Sequence, residues 1–229
     1  MVYPKYHLIA MPLLDFYTLP EFDAKLGVWE INENISFFRD RIDLFPEEYE
    51  EVEILKARKL LEWYCSRYLL HIMSNRDIRG ACLKDEFGKP YLKNSEYHIS
   101  MSHSHELTAV IASRSIVGID IQYKVEKISR IAGRVLSEFE LDDLHRNYSL
   151  DALHVYWGAK EAMYKIYGRK EIDFKKELFV DAFTIQDGHV FSSGDIMKAG
   201  IKTECWIRAQ ILQDYVMVYA WEKTKKNLY

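Results

Sequence analysis

Side chains alternate along a strand, so Asp120 and Gln122 of Gly118-Ile119-Asp120-Ile121-Gln122 share one face while Ile119 and Ile121 share the other. A carboxylate set between buried isoleucines is costly unless its charge is compensated, and a divalent cation would do that. An Asp that caps a turn at a strand end is the equal alternative. In Tyr156-Trp157-Gly158-Ala159-Lys160-Glu161-Ala162-Met163-Tyr164-Lys165, helical spacing puts Trp157, Glu161 and Lys165 on one face. An ordinary Glu-to-Lys surface pair, worth about 0.2–0.5 kcal/mol, has the same pattern. The hydroxyls and imidazoles of Ser100-Met101-Ser102-His103-Ser104-His105 suit phosphate oxygens; they equally suit a solvated turn, and two His at i and i+2 can form an incidental metal pair. Ser137-Glu138-Phe139-Glu140 has capping-box spacing, which gives Glu140 a local structural use. Arg58, Lys59 and Lys89 are cations that are unremarkable singly.

The elements that must position these residues follow from local pattern. Residues 1–33 read as short strands and turns, with a strand at Leu26–Ile31. One long helix is predicted from Pro46 to Ser74-Asn75, with proline at its first position and Glu47 and Glu48 at the positive end of its dipole. Asp85–Pro90 is a turn. Tyr97–Ser102 and Leu107–Ser113 are strands joined by a polar turn over His103–Glu106, and Ile116–Tyr123 is another strand. Helices follow at Ile128–Val135, Glu138–Asn147 and Ala152–Tyr167, then strands at Leu178–Gln186, Cys205–Leu212 and Tyr215–Trp221. The order helix, turn, hairpin recurs weakly in the second half, where Asp214–Ala220 echoes Glu106–Ala112. The reading is α+β in two pseudo-symmetric halves, 1–113 and 114–229, each a long helix packed on a small, mostly antiparallel sheet.

Composition limits the function classes. The net charge is 31 − 35 = −4, with 48% hydrophobic and 29% charged residues, which excludes disorder and argues against holding nucleic acid by bulk charge. The longest runs without charge, Tyr6–Leu14 and Tyr97–His105, are far short of the roughly 20 apolar residues a spanning helix needs, and the N-terminus does not read as a signal peptide. Cys65, Cys82 and Cys205 lie far apart without C-x-x-C spacing, so a reduced, cytoplasmic protein is expected. No glycine-rich phosphate loop is present.

Taken in order, the segments resemble the phosphopantetheinyl transferase family, in its longer, two-halved, surfactin-type branch, over residues 45–222. The resemblance rests on Arg58-Lys59-Leu60-Leu61 with Arg67, Phe87-Gly88-Lys89-Pro90-Tyr91, Ile99–Ser104, Gly118-Ile119-Asp120-Ile121, Arg134–Ser137 with Glu140, and Trp157-Gly158-Ala159-Lys160-Glu161-Ala162 with Lys165. It implies transfer of the 4′-phosphopantetheine arm of coenzyme A to a serine of an apo acyl or peptidyl carrier protein, with release of 3′,5′-ADP. By the same resemblance Asp120 and Glu161 are ligands of Mg²⁺, with Gln122 beside them, and Glu161 is also the base for the serine. Lys165, aided by Lys160, neutralises phosphate charge; Arg58, Lys89, Ser102 and His103 hold coenzyme A; Glu140 matches an acid near the metal. Many relatives have Asp-Ile-Glu where this chain has Asp120-Ile121-Gln122, so one negative charge is missing here. The basic segment Tyr167-Gly168-Arg169-Lys170 stands where many relatives have Gly-Lys-Gly. The family's long branch is usually monomeric, and its carrier is acidic, so Arg114, Lys124, Lys127, Arg130 and Arg134 are expected as a docking surface or as an ordinary solvated face. The alternative is a non-catalytic paralogue that binds coenzyme A or a carrier protein.

Overall fold

A computed structural model describes residues 13–146 and 148–223. The chain opens with strands β1 (Leu13–Leu19) and β2 (Ala24–Glu30), then short helices α1 (Ile35–Arg39) and α2 (Tyr49–Ile54) and the long α3 (Ala57–Ser74). A hairpin, β3 (Cys82–Lys84) and β4 (Pro90–Leu92), precedes β5 (His98–Ser104), β6 (Leu107–Ser113) and β7 (Val117–Tyr123). Helices α4 (Ser129–Val135), α5 (Glu138–Arg146) and α6 (Leu150–Tyr167) lead to β8 (Leu178–Val180), β9 (His189–Lys198), β10 (Ile201–Ile211) and β11 (Tyr215–Glu222).

Two antiparallel sheets form, ordered β1-β2-β6-β5 and β7-β11-β10-β9-β8. In each, the strand that precedes the long helix pairs with the last strand of a later hairpin, β2 with β6-β5 and β7 with β11-β10. The helix–hairpin echo in the sequence thus corresponds to a repeated topology. Strand alternation divides the core. Leu26, Val28, Ala109 and Ile111 of the first sheet meet Ile119, Ile121, Met217 and Tyr219 of the second. The opposite face of the first sheet packs on α3 through Trp29, Val110 and Leu69. The second packs on α6 through Val218, Ala159 and Met163. The layers run α3, sheet, sheet, α6, and each fully buried Ile or Leu side chain contributes about 1.5–3 kcal/mol.

Three expectations change. The helix predicted from Pro46 is broken: Leu55 and Lys56 are extended between α2 and α3. The break lets Glu51 reach Arg67 at 3.5 Å. On a continuous helix those positions would lie about 24 Å apart along the axis. The Ser-His segment is strand through Ser104, leaving only His105-Glu106 in the turn. The strand expected over Leu178–Gln186 ends at Val180, and β9, absent from the sequence reading, takes the next place in the sheet. Its inward positions are Val190, Ser192, Gly194 and Ile196, so two of four carry no apolar side chain and the alternation is masked. Residues 1–12 and Asn147 lie outside the described residues.

Candidate active site

Helix α6 is capped by Ser149, whose side chain accepts from the Ala152 N–H, and lies across β7 and β11 at unusually short range. A Cβ on Gly118 would stand 1.9 Å from the Ala162 carbonyl oxygen; one on Gly158 would stand 2.6 Å from Gln122 Nε2 and 2.7 Å from Val218 Cγ2. The two glycines set the helix-to-strand spacing that brings His154, Glu161 and Lys165 over the polar face of β7.

On that face Asp120 is buried. Its Oδ1 accepts from Ser102 Oγ at 2.9 Å and from Lys165 Nζ at 3.0 Å; its Oδ2 accepts from Gln122 Nε2 at 3.3 Å. Lys165 Nζ also donates to the Ile119 carbonyl at 2.6 Å. Glu161 stands close enough to feel both charges. Burial first, and then the negative charge of Asp120, push its carboxyl up to about 7, against the pull of Lys165.

Gln122 is fixed at both ends of its amide. Oε1 faces His154 Nδ1 at 2.7 Å, while Nε2 donates to the His154 carbonyl at 2.9 Å as well as to Asp120. The Val125 N–H donates to His154 Nε2 at 3.0 Å. These contacts define one arrangement, with the proton on Nδ1 and a neutral imidazole, and burial lowers the His154 pKa in the same direction. The Gln122 carbonyl oxygen, the atom that could ligate a cation, is thereby turned to His154, and its amide nitrogen faces Asp120. Sequence reasoning missed His154. Its signal is helical: 154, 158, 161 and 165 fall on one stripe at 100° per residue, a tighter match than 157, 161 and 165.

The first sheet reaches this group through β5. Ser100 Oγ accepts from the Ile119 N–H at 3.1 Å and Ser104 Oγ from the Tyr123 N–H at 2.9 Å, with the Ser102–Asp120 bond between them. Alternate β5 hydroxyls therefore join the edges of the two sheets where a backbone ladder is missing. His103 points to the other side, toward α3. Its Nε2 is shielded and has no partner among the described residues, and burial holds its pKa down at about 4. Arg58 bridges Glu62 and Glu106, both at 3.3 Å, and donates to the His105 carbonyl. Lys59 binds Glu62 at 2.9 Å. A cavity of about 300 Å³ opens between the β3–β4 turn, β5 and the C-terminal end of α6. Lys89, Lys165 and Arg169 line it, and Lys89 Nζ donates to the Ile166 carbonyl at 3.0 Å. Burial lowers the Lys89 pKa.

Two expected residues face elsewhere. Lys160 is fully buried on the opposite side of α6, where Nζ contacts Glu140 Oε2 and the Phe174 and Leu178 carbonyls, each at 2.7 Å. Glu140 realises the capping box with Ser137, and its second oxygen accepts from the Val180 N–H at 2.8 Å. Trp157 packs on Phe174 with ring centroids 5.7 Å apart. Of the cations considered for docking, Arg114 pairs with Asp23 and Glu96, and Lys124 with Asp151.

Among the described residues, no group of three or more His, Cys, Asp and Glu side chains is placed to hold a metal ion. No described helix is long and apolar enough to cross a membrane. Residues 116–220, which hold Asp120, Gln122, His154, Glu161 and Lys165, match the family model of the 4′-phosphopantetheinyl transferase superfamily. The chain is 29% identical over 116 residues to the 4′-phosphopantetheinyl transferase gsp of Aneurinibacillus migulanus, an alignment covering 49% of this chain and 48% of that protein. The chain thus spans about half the length of this curated relative. This match makes strand β7, helix α6 and the closing strands similar to the 4′-phosphopantetheinyl transferase superfamily.

Proposed function

We propose that this protein transfers the 4′-phosphopantetheine group of coenzyme A to a serine of an apo acyl or peptidyl carrier protein, with Mg²⁺, releasing 3′,5′-ADP. The observation that carries the reading is the Asp120–Glu161 pair, crowded together beside Lys165 at the seam of the two sheets and next to a cavity lined by Lys89, Lys165 and Arg169. Asp120 and Glu161 supply carboxylate oxygens only, which suits a hard divalent cation that keeps waters or phosphate oxygens in its other positions. When bound, Mg²⁺ would polarise the pyrophosphate and offset its charge. Gln122, held by His154, is read as a donor that orients Asp120 rather than as a ligand.

The chain's own groups divide the remaining work. Lys89, Lys165 and Arg169 would bind phosphate oxygens, and Lys165 would neutralise charge on the departing 3′,5′-ADP. His103, whose Nε2 has no partner among the described residues, and Arg58 are read as further contacts to coenzyme A. Glu161, poised near neutral pH, would take the proton of the carrier serine as its oxygen attacks phosphorus and the pyrophosphate linkage breaks. Lys160 and Glu140 are read as a buried strut rather than as part of the chemistry. We further read the protein as a cytoplasmic monomer; its three cysteines are free and buried.

Purified protein mixed with coenzyme A, Mg²⁺ and a panel of apo carriers should give a metal-dependent gain of one phosphopantetheine in intact carrier mass. The second reading, a paralogue without turnover, draws on the Gln122 arrangement, which removes a carboxylate from the site. Coenzyme A binding without mass gain would favour it; neither binding nor gain would overturn both readings.

A further inference from the structure

The first half of the molecule contains a second cavity, of about 180 Å³, that shares no lining residue with the cavity at Lys89. It lies against the C-terminal half of α3, with Leu70, Met73 and Leu92 as an apolar floor. Lys25, Arg67, Arg76, Arg79 and Lys93 also line it, and no Asp or Glu does. In a chain of net charge −4 that is a strong local excess.

Part of this charge is already used. Arg79 is held by Glu48 at 2.9 Å and by the Asp43 carbonyl, and Lys93 by Glu47. Arg67 shares Glu51 and is 5% exposed, yet its Nε has no partner among the described residues. Lys25 Nζ meets only a neutral acceptor, the Met73 carbonyl at 2.9 Å, and Arg76 makes no ion pair among the described residues. His71, also in the wall, has a shielded Nδ1 without a partner among the described residues. Two cations thus remain uncompensated over an apolar floor, with unused donors or acceptors behind them. Coulomb attraction at such a partly desolvated wall is several-fold stronger than in open water.

We infer that this cavity is a second ligand site, separate from the phosphopantetheine chemistry, for a small anion carried on an apolar body, either a phosphate monoester or a carboxylate. The anion would meet Lys25 and Arg76 at the rim, and the apolar part would lie on Leu70, Met73 and Leu92. Guanidinium forks pair with both head groups, and the volume far exceeds the roughly 10–15 Å³ needed for one water.

Calorimetric titration of the full chain with phenyl phosphate, benzoate and inorganic phosphate tests the assignment. The expected result is saturable binding of phenyl phosphate or benzoate at least about tenfold tighter than inorganic phosphate, the tighter aromatic anion naming the head group. Lys25→Gln, half-buried, and Arg76→Gln, at the exposed rim, should each weaken it about threefold to tenfold. Lys165→Gln, in the other cavity, should leave it unchanged, and saturating coenzyme A should not displace it. The assignment is overturned if neither aromatic anion saturates, if both rim substitutions leave affinity unchanged, or if Lys165→Gln or coenzyme A abolishes binding. None of these results depends on carrier modification, so the transfer reading stands or falls separately.

Discussion

Glu161 carries a cost that can be measured without any substrate. Burial and Asp120 raise its carboxyl from 4.5 to about 7 in the folded protein. In the unfolded chain it titrates near its ordinary value, so the folded state holds the proton over a window, about pH 4.5 to 7, in which the unfolded state has released it. Below that window both states are protonated and nothing is lost. As pH rises through it, stability falls, and above pH 7 the full cost applies. At about 1.36 kcal/mol per pH unit, the handicap grows from about 1 kcal/mol at pH 5 to about 3 kcal/mol at pH 8.5. Glu161→Gln keeps the shape and removes the charge. In metal-free buffer the variant should therefore melt higher than the wild type, by roughly 2–4 °C at pH 5 and about 6–12 °C at pH 8.5, given about 2–4 °C per kcal/mol for a chain of this size. Scanning calorimetry across that range is the assay. Added Mg²⁺ should raise the wild-type Tm at pH 8.5 and leave the variant nearly unmoved. A Tm difference independent of pH, or a variant less stable at pH 8.5, would refute the crowding of Asp120 and Glu161 on which the site reading depends.

Other perturbations separate site from scaffold. Gly118→Ala forces the Ala162 carbonyl away from β7 and should cost about 1–3 kcal/mol in urea unfolding, with lowered transfer; wild-type stability would contradict the close packing. Gln122→Glu replaces an amide donor to Asp120 and to the His154 carbonyl with a second carboxylate oxygen, so the metal-free variant should lose about 1–3 kcal/mol and gain more Tm from Mg²⁺ than the wild type. Equal responses to Mg²⁺ would count against residue 122 facing the carboxylate pair. Lys160→Met strands the buried Glu140 carboxylate and should cost about 3–5 kcal/mol while the remaining folded protein keeps its turnover; a selective loss of turnover at normal stability would return Lys160 to the chemistry.

The sequence made strand β7 and helix α6 legible because their periods are clean, whereas the pairing of Asp120 with Glu161 came from the family resemblance. Strand β7 alternates Ile119 and Ile121 against Asp120 and Gln122, and the two faces it predicts are the sheet interface and the α6 side. What stayed hidden depended on partners distant in sequence. Lys160 and Glu161 are neighbours in the chain, yet 100° of helical rotation sends one to Glu140 and the other toward Asp120. Nothing local distinguishes them; the distinction lies in the Ser137–Glu140 cap 20 residues earlier. The break before Ala57 was similarly invisible, because the helical pattern continues through it and only the Glu51–Arg67 pairing requires the chain to fold back. Strand β9 was missed because serine and glycine fill two inward positions; at Gly194 a Cβ would stand 2.4 Å from the Phe179 carbonyl oxygen and 3.2 Å from Met163 Sδ of α6.

The Ser100–Ser104 stretch shows what residue type alone leaves open. Hydroxyls here suit phosphate oxygens, and all three serines also bond to β7, Ser100 and Ser104 as acceptors of its N–H groups and Ser102 as a donor to Asp120. Their alternation with Ile99, Met101 and His103 is what makes one face of β5 a polar seam and the other a wall toward α3. The consequence for the chemistry is direct. Asp120 belongs to the second sheet, yet one of its oxygens is held by a hydroxyl from the first, so the orientation of the acid depends on the register between the sheets. A single neutral hydrogen bond contributes only about 0.5–1.5 kcal/mol to stability. Ser102→Ala should therefore leave the fold nearly intact, since Ser100 and Ser104 still anchor the seam. Asp120 would then keep only Lys165 and Gln122. If Ser102 acts by aiming Asp120, the variant should need more Mg²⁺ for half-maximal stabilisation while its affinity for coenzyme A is unchanged. If Ser102 instead touches coenzyme A, affinity for coenzyme A falls and the Mg²⁺ requirement stays, and the hydrogen bond to Asp120 is incidental to function.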